Sequence, residues 1–507
     1  AQIADIVGGE LAGISAEAAA ARHVSGTVEF DSRKVTPGGL FLALPGARSD
    51  GHDHAAAAVA AGAVAVLAAR PVGVPAIVVA PVAQAASRGD GGLAGVLEHD
   101  TDGSGAAVLA ALAKLAAAVA AELVTGGLTV VGITGSSGKT STKDLLAAML
   151  DPLGEVVAPP GSFNNELGHP WTVLRATEST DYLILELSAR HPGNIAALTA
   201  IAPPSIGVVL NVGTAHLGEF GSRESIAQTK SELPQAVPQS GVVVLNVDDS
   251  AVAAMAGLTA ARVVRVSRRS QTDAGPSDVW AGPVALDELA RPHFTLHSAA
   301  WAVEVALAVH GDHQVSNALC AAAVALECGA SAEQAAVALA SAHPVSQHRM
   351  RVKTRHDGVT VIDDAYNANP DSTRAGLQAL AWMARGGRRS WAVLGEMAEL
   401  GDDAISEHDR IGRLAVRLDV SRLVVVGIGR SMSAMHHGAV LEGAWGSWGP
   451  DTDKGAVNVA DGDAALALLR AEVQSGDVVL VKASNAAGLG ALADALASES
   501  TSGGARP

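Results

Sequence analysis

From residue 134 the sequence reads Thr134-Gly135-Ser136-Ser137-Gly138-Lys139-Thr140. Glycines let backbone N–H groups approach an anion closely, a lysine adds positive charge, and a threonine hydroxyl can ligate magnesium. The residues before it, Leu128 to Ile133, form a β-branched run that reads as a buried strand. From Thr140 onward Leu145, Leu146 and Met149 fall at helical spacing. Strand, glycine turn, Lys-Thr and helix form the arrangement that wraps a nucleotide triphosphate. The strict P-loop spacing is missed by one residue: Ile133 stands where the first glycine belongs, and Gly132 comes one position early. A glycine turn alone could be a plain βα connection; the flanking strand and helix favour the phosphate reading.

Three more groups follow at places where open α/β sheets put ligands. Glu186 closes the apolar run from Tyr182, and His216 follows the run Ile206 to Leu210 by six residues. Lys230 lies on a predicted helix. Taken singly these read as a salt-bridged strand end, a capped loop residue and a solvated charge. Taken jointly, after the phosphate turn, they suggest a metal–nucleotide cluster, since a carboxylate at a buried strand end is costly unless paired or metal-bound. A polar loop, Gly161 to Gly168, carries Asn164, Asn165 and Glu166. Asn317, entering a long alanine-rich helix, is either a helix-start residue or a nucleotide contact. His348-Arg349-Met350 precedes the strand Val359 to Ile362 and the loop Asp363-Asp364-Ala365-Tyr366-Asn367-Ala368-Asn369-Pro370-Asp371-Ser372. By composition that loop is compatible with a plain βα turn. Gly427-Ile428-Gly429 lacks a third glycine at Met432 and reads as a turn, not a dinucleotide site.

The elements that must hold these groups are α/β. At 507 residues the chain exceeds one ordinary core. Strands alternate with helices, giving doubly wound parallel sheets. Three domains are expected: 1–103, a smaller α/β domain; 104–345, a central P-loop-type parallel sheet with flanking helices; and 346–507, a Rossmann-like domain. Residues 87 to 105, rich in Gly, Ser and Asp, read as a linker, and short antiparallel strands are expected between Ser267 and His297. The formal charge of −17 argues against a general nucleic-acid or anionic-membrane binder, so a bound anion needs a local cation, which Lys139 offers. The mean hydropathy of +0.27 comes from alanine. The most apolar uncharged stretch, Ala55 to Ala69, is too short for a membrane span. No export signal is visible, and Cys320 and Cys328 share one predicted helix and read as buried thiols in a reducing cytosol.

Together these strings resemble the Mur ligase family over nearly the whole chain. The matching segments include Asp31-Ser32-Arg33, Asp50-Gly51-His52, the 134–140 turn in the family's own spacing, Asn164 to Gly168, Glu186-Leu187-Ser188, Asn211 to Leu217, Lys230, His348-Arg349 and Asp363 to Ser372. Asp364 to Pro370 is similar to members that add D-alanyl-D-alanine rather than diaminopimelate or lysine. The resemblance implies an ATP-dependent ligase. It would join D-alanyl-D-alanine to a UDP-N-acetylmuramoyl-tripeptide through an acyl phosphate, as a cytoplasmic monomer. It also implies the roles. Gly135, Ser136, Ser137, Gly138 and Lys139 hold the ATP phosphates, and Asn317 meets adenine. Arg349 meets the γ-phosphate and Asp364 the ribose. Thr140 and Glu186 ligate one magnesium ion and His216 a second, beside Lys230 as a carbamate. Ser32, Arg33, Asn164, Asn165, Glu166, Ser188, Tyr366, Asn367 and Asn369 contact substrate. Gln314 stands where the family usually has Asn, Lys482 to Asn485 is a worn form of a Lys-Gly-Ser-Arg segment with no role assigned, and 275–292 has no family role. The competing readings are a relative adding another amino acid, such as a folylpolyglutamate-type ligase, and a nucleotide-gated binding protein without ligation.

Overall fold

Three sheets and a two-stranded ribbon organise the described residues. The computed structural model describes the chain except residues 47–48, 83–96, 98, 214–216, 274, 444–453 and 499–507. The expected linker and His216 therefore fall largely or wholly outside the described residues.

The N-terminal sheet has five strands in the order Glu10–Ala12, Ala76–Val78, Ala65–Ala68, Leu40–Leu42, Val28–Glu29. All pair in parallel except the first, which runs antiparallel at the edge. The helix Ser104–Thr125 lies against it. Leu109 and Leu112 of its first half join the core of this sheet, whereas Ala116 and Ala120 of its second half join Val130 and Leu183 of the next. This helix is long and apolar enough to cross a membrane, which the sequence reading overlooked in favour of Ala55 to Ala69. Its apolar face is packed inside two protein cores.

The central sheet is parallel around the strand Thr129–Thr134, which lies between Tyr182–Glu186 and Ile206–Val209. Chain connections diverge to either side of this strand, and the crevice above its C-terminal end is where such sheets bind ligands. Ile133 pairs in register with Glu186, and Thr134 with Val209. Gly132 belongs to the strand: a Cβ there would meet Leu187 Cδ1 at 2.9 Å. It is a packing glycine, which is why it sits one residue outside the phosphate turn. The helix Lys139–Leu150 buries Leu145, Leu146, Met149 and Leu150, each at most 2% exposed, in a core shared with Val315, Ala318 and Leu319 of the helix Gln314–Glu327. Four such side chains contribute on the order of 6–12 kcal/mol before chain entropy is counted, enough to hold the turn's exit rigid. The expected antiparallel strands are present: Pro292–Ser298 pairs with Val279–Ala281, Ala285–Leu286 and Ala302–Ala306 at the far edge.

The C-terminal sheet has six strands, ordered Arg351–Thr354, Thr360–Asp363, Val478–Lys482, Ser390–Leu394, Arg422–Val426, Gly455–Val459. Only the first is antiparallel to its neighbour. Several contacts join it to the central sheet's surroundings. The Trp382 indole donates to Asp287 O at 2.8 Å, and Ala290 is buried in the C-terminal core, so 275–292 has a structural use. Across the cleft Arg190 pairs with Glu399 at 2.8 Å, and Gly218 meets Gly401 backbone to backbone.

Candidate active site

A cavity of about 870 Å³ opens at the C-terminal ends of the central strands and is roofed by the C-terminal unit. Its floor is the glycine turn. Gly138 has φ +86°, a conformation that favours glycine, and a Cβ there would lie 2.4 Å from Asn317 Oδ1. Asn317 is not a cap: the helix starts at Gln314, and Asn317 Nδ2 donates to Gln314 Oε1 at 2.8 Å. Gln314 thus orients Asn317 against the turn. Asn211 secures the turn from the adjacent strand, accepting from Ser137 N at 3.0 Å and donating to Ser137 O at 3.1 Å, while Ser136 Oγ accepts from Gly213 N. Lys139 Nζ folds back onto Gly135 O at 2.6 Å. Burial, opposed by Glu186 and reinforced by Arg349, brings its ammonium down to about 8.

Glu186 is 1% exposed. Its Oε2 accepts from Thr140 Oγ1 at 3.1 Å and Ser162 Oγ at 3.2 Å, and Asn164 Nδ2 lies 3.5 Å away. Its Oε1 is buried with no hydrogen-bond partner. Burial raises this carboxyl above its ordinary range, against the pull of Lys143, Lys139 and Arg349. A half-satisfied carboxylate beside a threonine hydroxyl is a fitting donor set for a hard dication. Lys230 is 5% exposed, and burial, helped by Lys139, holds its ammonium far below the usual lysine value. That direction favours the neutral amine, the form that takes up carbon dioxide. Ser188 Oγ donates to Asn164 O and Oδ1, and Asn165 Oδ1 accepts from Gly168 N. Asn164, Asn165, Glu166 and Ser188 all line the cavity.

From above, Arg349 stacks over the Tyr366 ring, with Asp364, Asn367 and Asn369 beside it. Asp364 is not free. Lys482 Nζ donates to its Oδ2 at 2.5 Å and to Asn367 O at 3.0 Å, and Met350 N donates to Oδ1. Asn369 spends its side chain as a helix cap, accepting from Ser372 N at 2.8 Å. Ser32 and Arg33 lie on the N-terminal unit, outside this cavity; Arg33 is 87% exposed and pairs with Asp31. The structure therefore brings Ser136, Ser137, Gly138, Lys139, Thr140, Asn317, Arg349 and Asp364 to one cavity, sets Glu186 behind it on Thr140, and leaves the Ser32 pair apart.

Sequence reasoning missed Lys482, Lys143 and Asp144. Lys482 carried the same signal as Glu186, a charge closing an apolar strand. Lys482 is neutralised by Asp364 and Lys143 by Asp144, so of Lys139, Lys143, Arg349 and Lys482 only Lys139 and Arg349, both lining the cavity, have no carboxylate bonded to them among the described residues.

Comparison with known proteins agrees with this geometry. Residues 26–117 match the Mur ligase family catalytic domain, 133–325 the Mur ligase middle domain, and 348–485 the Mur ligase glutamate ligase domain. The chain is 78% identical to the UDP-N-acetylmuramoyl-tripeptide–D-alanyl-D-alanine ligase of Mycobacterium tuberculosis, covering 100% of this chain and 99% of that one. It is 34% identical to the enzyme of the same name from Escherichia coli, over 84% and 85%. Among solved structures, MurF from Acinetobacter baumannii superposes with a TM-score of 0.77 at 28% identity, covering 98% of both chains. MurF from Thermotoga maritima in complex with ADP gives 0.73 at 26% identity, covering 94% and 97%.

Proposed function

Because this chain belongs to the Mur ligase family, we propose that it joins D-alanyl-D-alanine to UDP-N-acetylmuramoyl-tripeptide at the expense of ATP. The observation that carries this reading is one cavity. The phosphate turn meets Arg349 and residues of the Asp364–Asn369 string there, from two different sheets, with Glu186 bonded to Thr140 behind the turn and Lys230 buried within the field of Lys139. In the first step the terminal carboxylate of the tripeptide attacks the γ-phosphorus, forming an acyl phosphate and releasing ADP. In the second the dipeptide amine attacks the acyl carbon, loses a proton, and phosphate departs from the tetrahedral intermediate.

Lys139 and Arg349 supply fixed positive charge to the γ-phosphate oxygens as charge moves toward ADP. The turn N–H groups of Gly135 to Gly138 hold the remaining phosphates, Asn317 the adenine and Asp364 the ribose. Thr140 and Glu186 would hold one magnesium ion, and His216 with the carbamate of Lys230 a second. The buried, unpartnered Glu186 Oε1 and the depressed Lys230 amine support that set. Bound magnesium would screen the repulsion between triphosphate and attacking carboxylate. Asn164, Asn165, Glu166, Ser188, Tyr366, Asn367 and Asn369 would orient the peptide ends, and Ser32 and Arg33 the UDP end. The three working units are 1–103, 104–345 and 346–507, with the helix Ser104–Thr125 shared between the first two cores. A monomer is the working form this reading expects. ATP and a UDP-linked peptide are cytoplasmic substrates, and the pentapeptide product feeds peptidoglycan synthesis, hence cell shape and division.

The test is phosphate release with each substrate omitted in turn, and mass spectrometry of the product. Release that needs ATP, tripeptide and D-alanyl-D-alanine together, with a product heavier by one dipeptide less water, is expected. ATP hydrolysis at the same rate without the dipeptide would overturn the reading.

A further inference from the structure

Lys143 and Asp144 lie on the helix that leaves the phosphate turn, about one turn beyond Thr140, and are 2% and 9% exposed. They form an ion pair at 2.7 Å. Lys143 Nζ also donates to Pro159 O at 2.7 Å, at the start of the loop that brings Ser162 and Asn164 to Glu186. Asp144 faces a segment from far along the chain: Ser346 N donates to its Oδ2 at 3.2 Å and Ser346 Oγ to Oδ1 at 3.3 Å. Ser346 Oγ also accepts from Lys143 Nζ at 3.4 Å.

Ser346 stands three residues before Arg349. Beyond it the segment is held from the other side of the cleft. His348 Nδ1 lies 2.8 Å from Asp363 Oδ2, and Met350 N donates to Asp364 Oδ1 at 3.1 Å. The residues flanking Arg349, His348 and Met350, have φ +56° and +49°. Left-handed backbone at side chains of this size persists only where surrounding bonds over-determine it. Arg349 is thus suspended between an anchor on the phosphate-turn helix and two anchors on the C-terminal sheet. A buried ion pair has little net stabilising value of its own, yet every further bond of this one leads to a segment carrying a site residue.

We propose that Lys143 and Asp144 are positioning residues for Arg349, acting through Ser346, so that its guanidinium enters the cavity only when both units grip the 346–350 segment. The proposal rests on the reading of Arg349 as the γ-phosphate cation.

A double-mutant cycle tests it in the full-length enzyme. Asp144→Asn and Ser346→Ala are each made alone and with Arg349→Ala, and kcat, the KM for ATP and thermal melting are measured. Expected is a loss of roughly tenfold or more in kcat for Asp144→Asn, with KM within about threefold. In the Arg349→Ala background the same change should cost less than about twofold. Should Asp144→Asn fail to fold, Ser346→Ala reads the same cycle with a smaller single loss. Losses that simply multiply would overturn the positioning role alone. Full activity in Arg349→Ala would remove the role of Arg349 itself, and this proposal with it.

Discussion

The guanidinium carbon of Arg349 lies 4.1 Å from the centre of the Tyr366 ring. One of these residues faces the expected γ-phosphate and the other belongs to the string that resembles dipeptide-adding ligases. A cation held over a ring face gains about 0.5–2 kcal/mol, depending on desolvation. Tyr366→Phe keeps the ring and should retain activity within about twofold. Tyr366→Leu should lower kcat by roughly 3- to 30-fold. Steady-state kinetics on the two variants check this; equal losses would assign the effect to the hydroxyl instead.

Lys482 and Asp364 form a pair that is nearly shut off from solvent. Removing one partner strands the other charge, at a cost of about 3–5 kcal/mol. Lys482→Met should therefore lower the urea midpoint strongly, and Lys482→Met with Asp364→Leu should recover much of the loss. Equilibrium denaturation of the three proteins measures it.

For Lys230, replacement by alanine should abolish turnover. A short added carboxylic acid should partly restore it by taking the place of the carbamate oxygens. Enzyme prepared without carbon dioxide should be less active and recover on adding bicarbonate. Full activity in Lys230→Ala refutes the carbamate.

His169 is fully buried, and burial pulls its imidazole down to about 4 from an ordinary 6.5. Above pH 6.5 neither folded nor unfolded chain binds this proton, and no stability is lost. Between 6.5 and 4 the unfolded chain takes it up and the folded one does not, so stability falls as pH falls. The loss levels off below 4 at about 3 kcal/mol. Denaturation midpoints of wild type and His169→Leu between pH 7 and 4 should converge by that amount as pH drops.

Gly138→Ala combines a left-handed backbone with a collision against Asn317. It should weaken ATP-analogue binding about tenfold or more, since the strain alone is about 1–2 kcal/mol. Gly132→Ala, aimed at Leu187 and Leu233, should lower the melting temperature with less effect on that binding. Calorimetry separates the two.

Much of this site was legible before the fold. Strand, turn and helix at 129–150 differ by one residue from the sequence reading, because the apolar runs were short and bounded by glycine. Glu186 was found by its place at the end of a buried strand. Lys482 obeys the same rule, closing a fully buried strand, but the partner that makes its burial tolerable, Asp364, lies 118 positions away. The spacing of Asn369 to Ser372 spells a helix cap, a role the side chain holds while bordering the cavity. The Asp144–Ser346 contact spans 202 positions, and no local pattern encodes a bond at that range.

The helix Ser104–Thr125 enters one core with its first half and the next with its second. Turning those two cores far against each other would strain a continuous run of backbone hydrogen bonds. It works as an axle common to both sheets, so a force on either one reaches the other through a single helix.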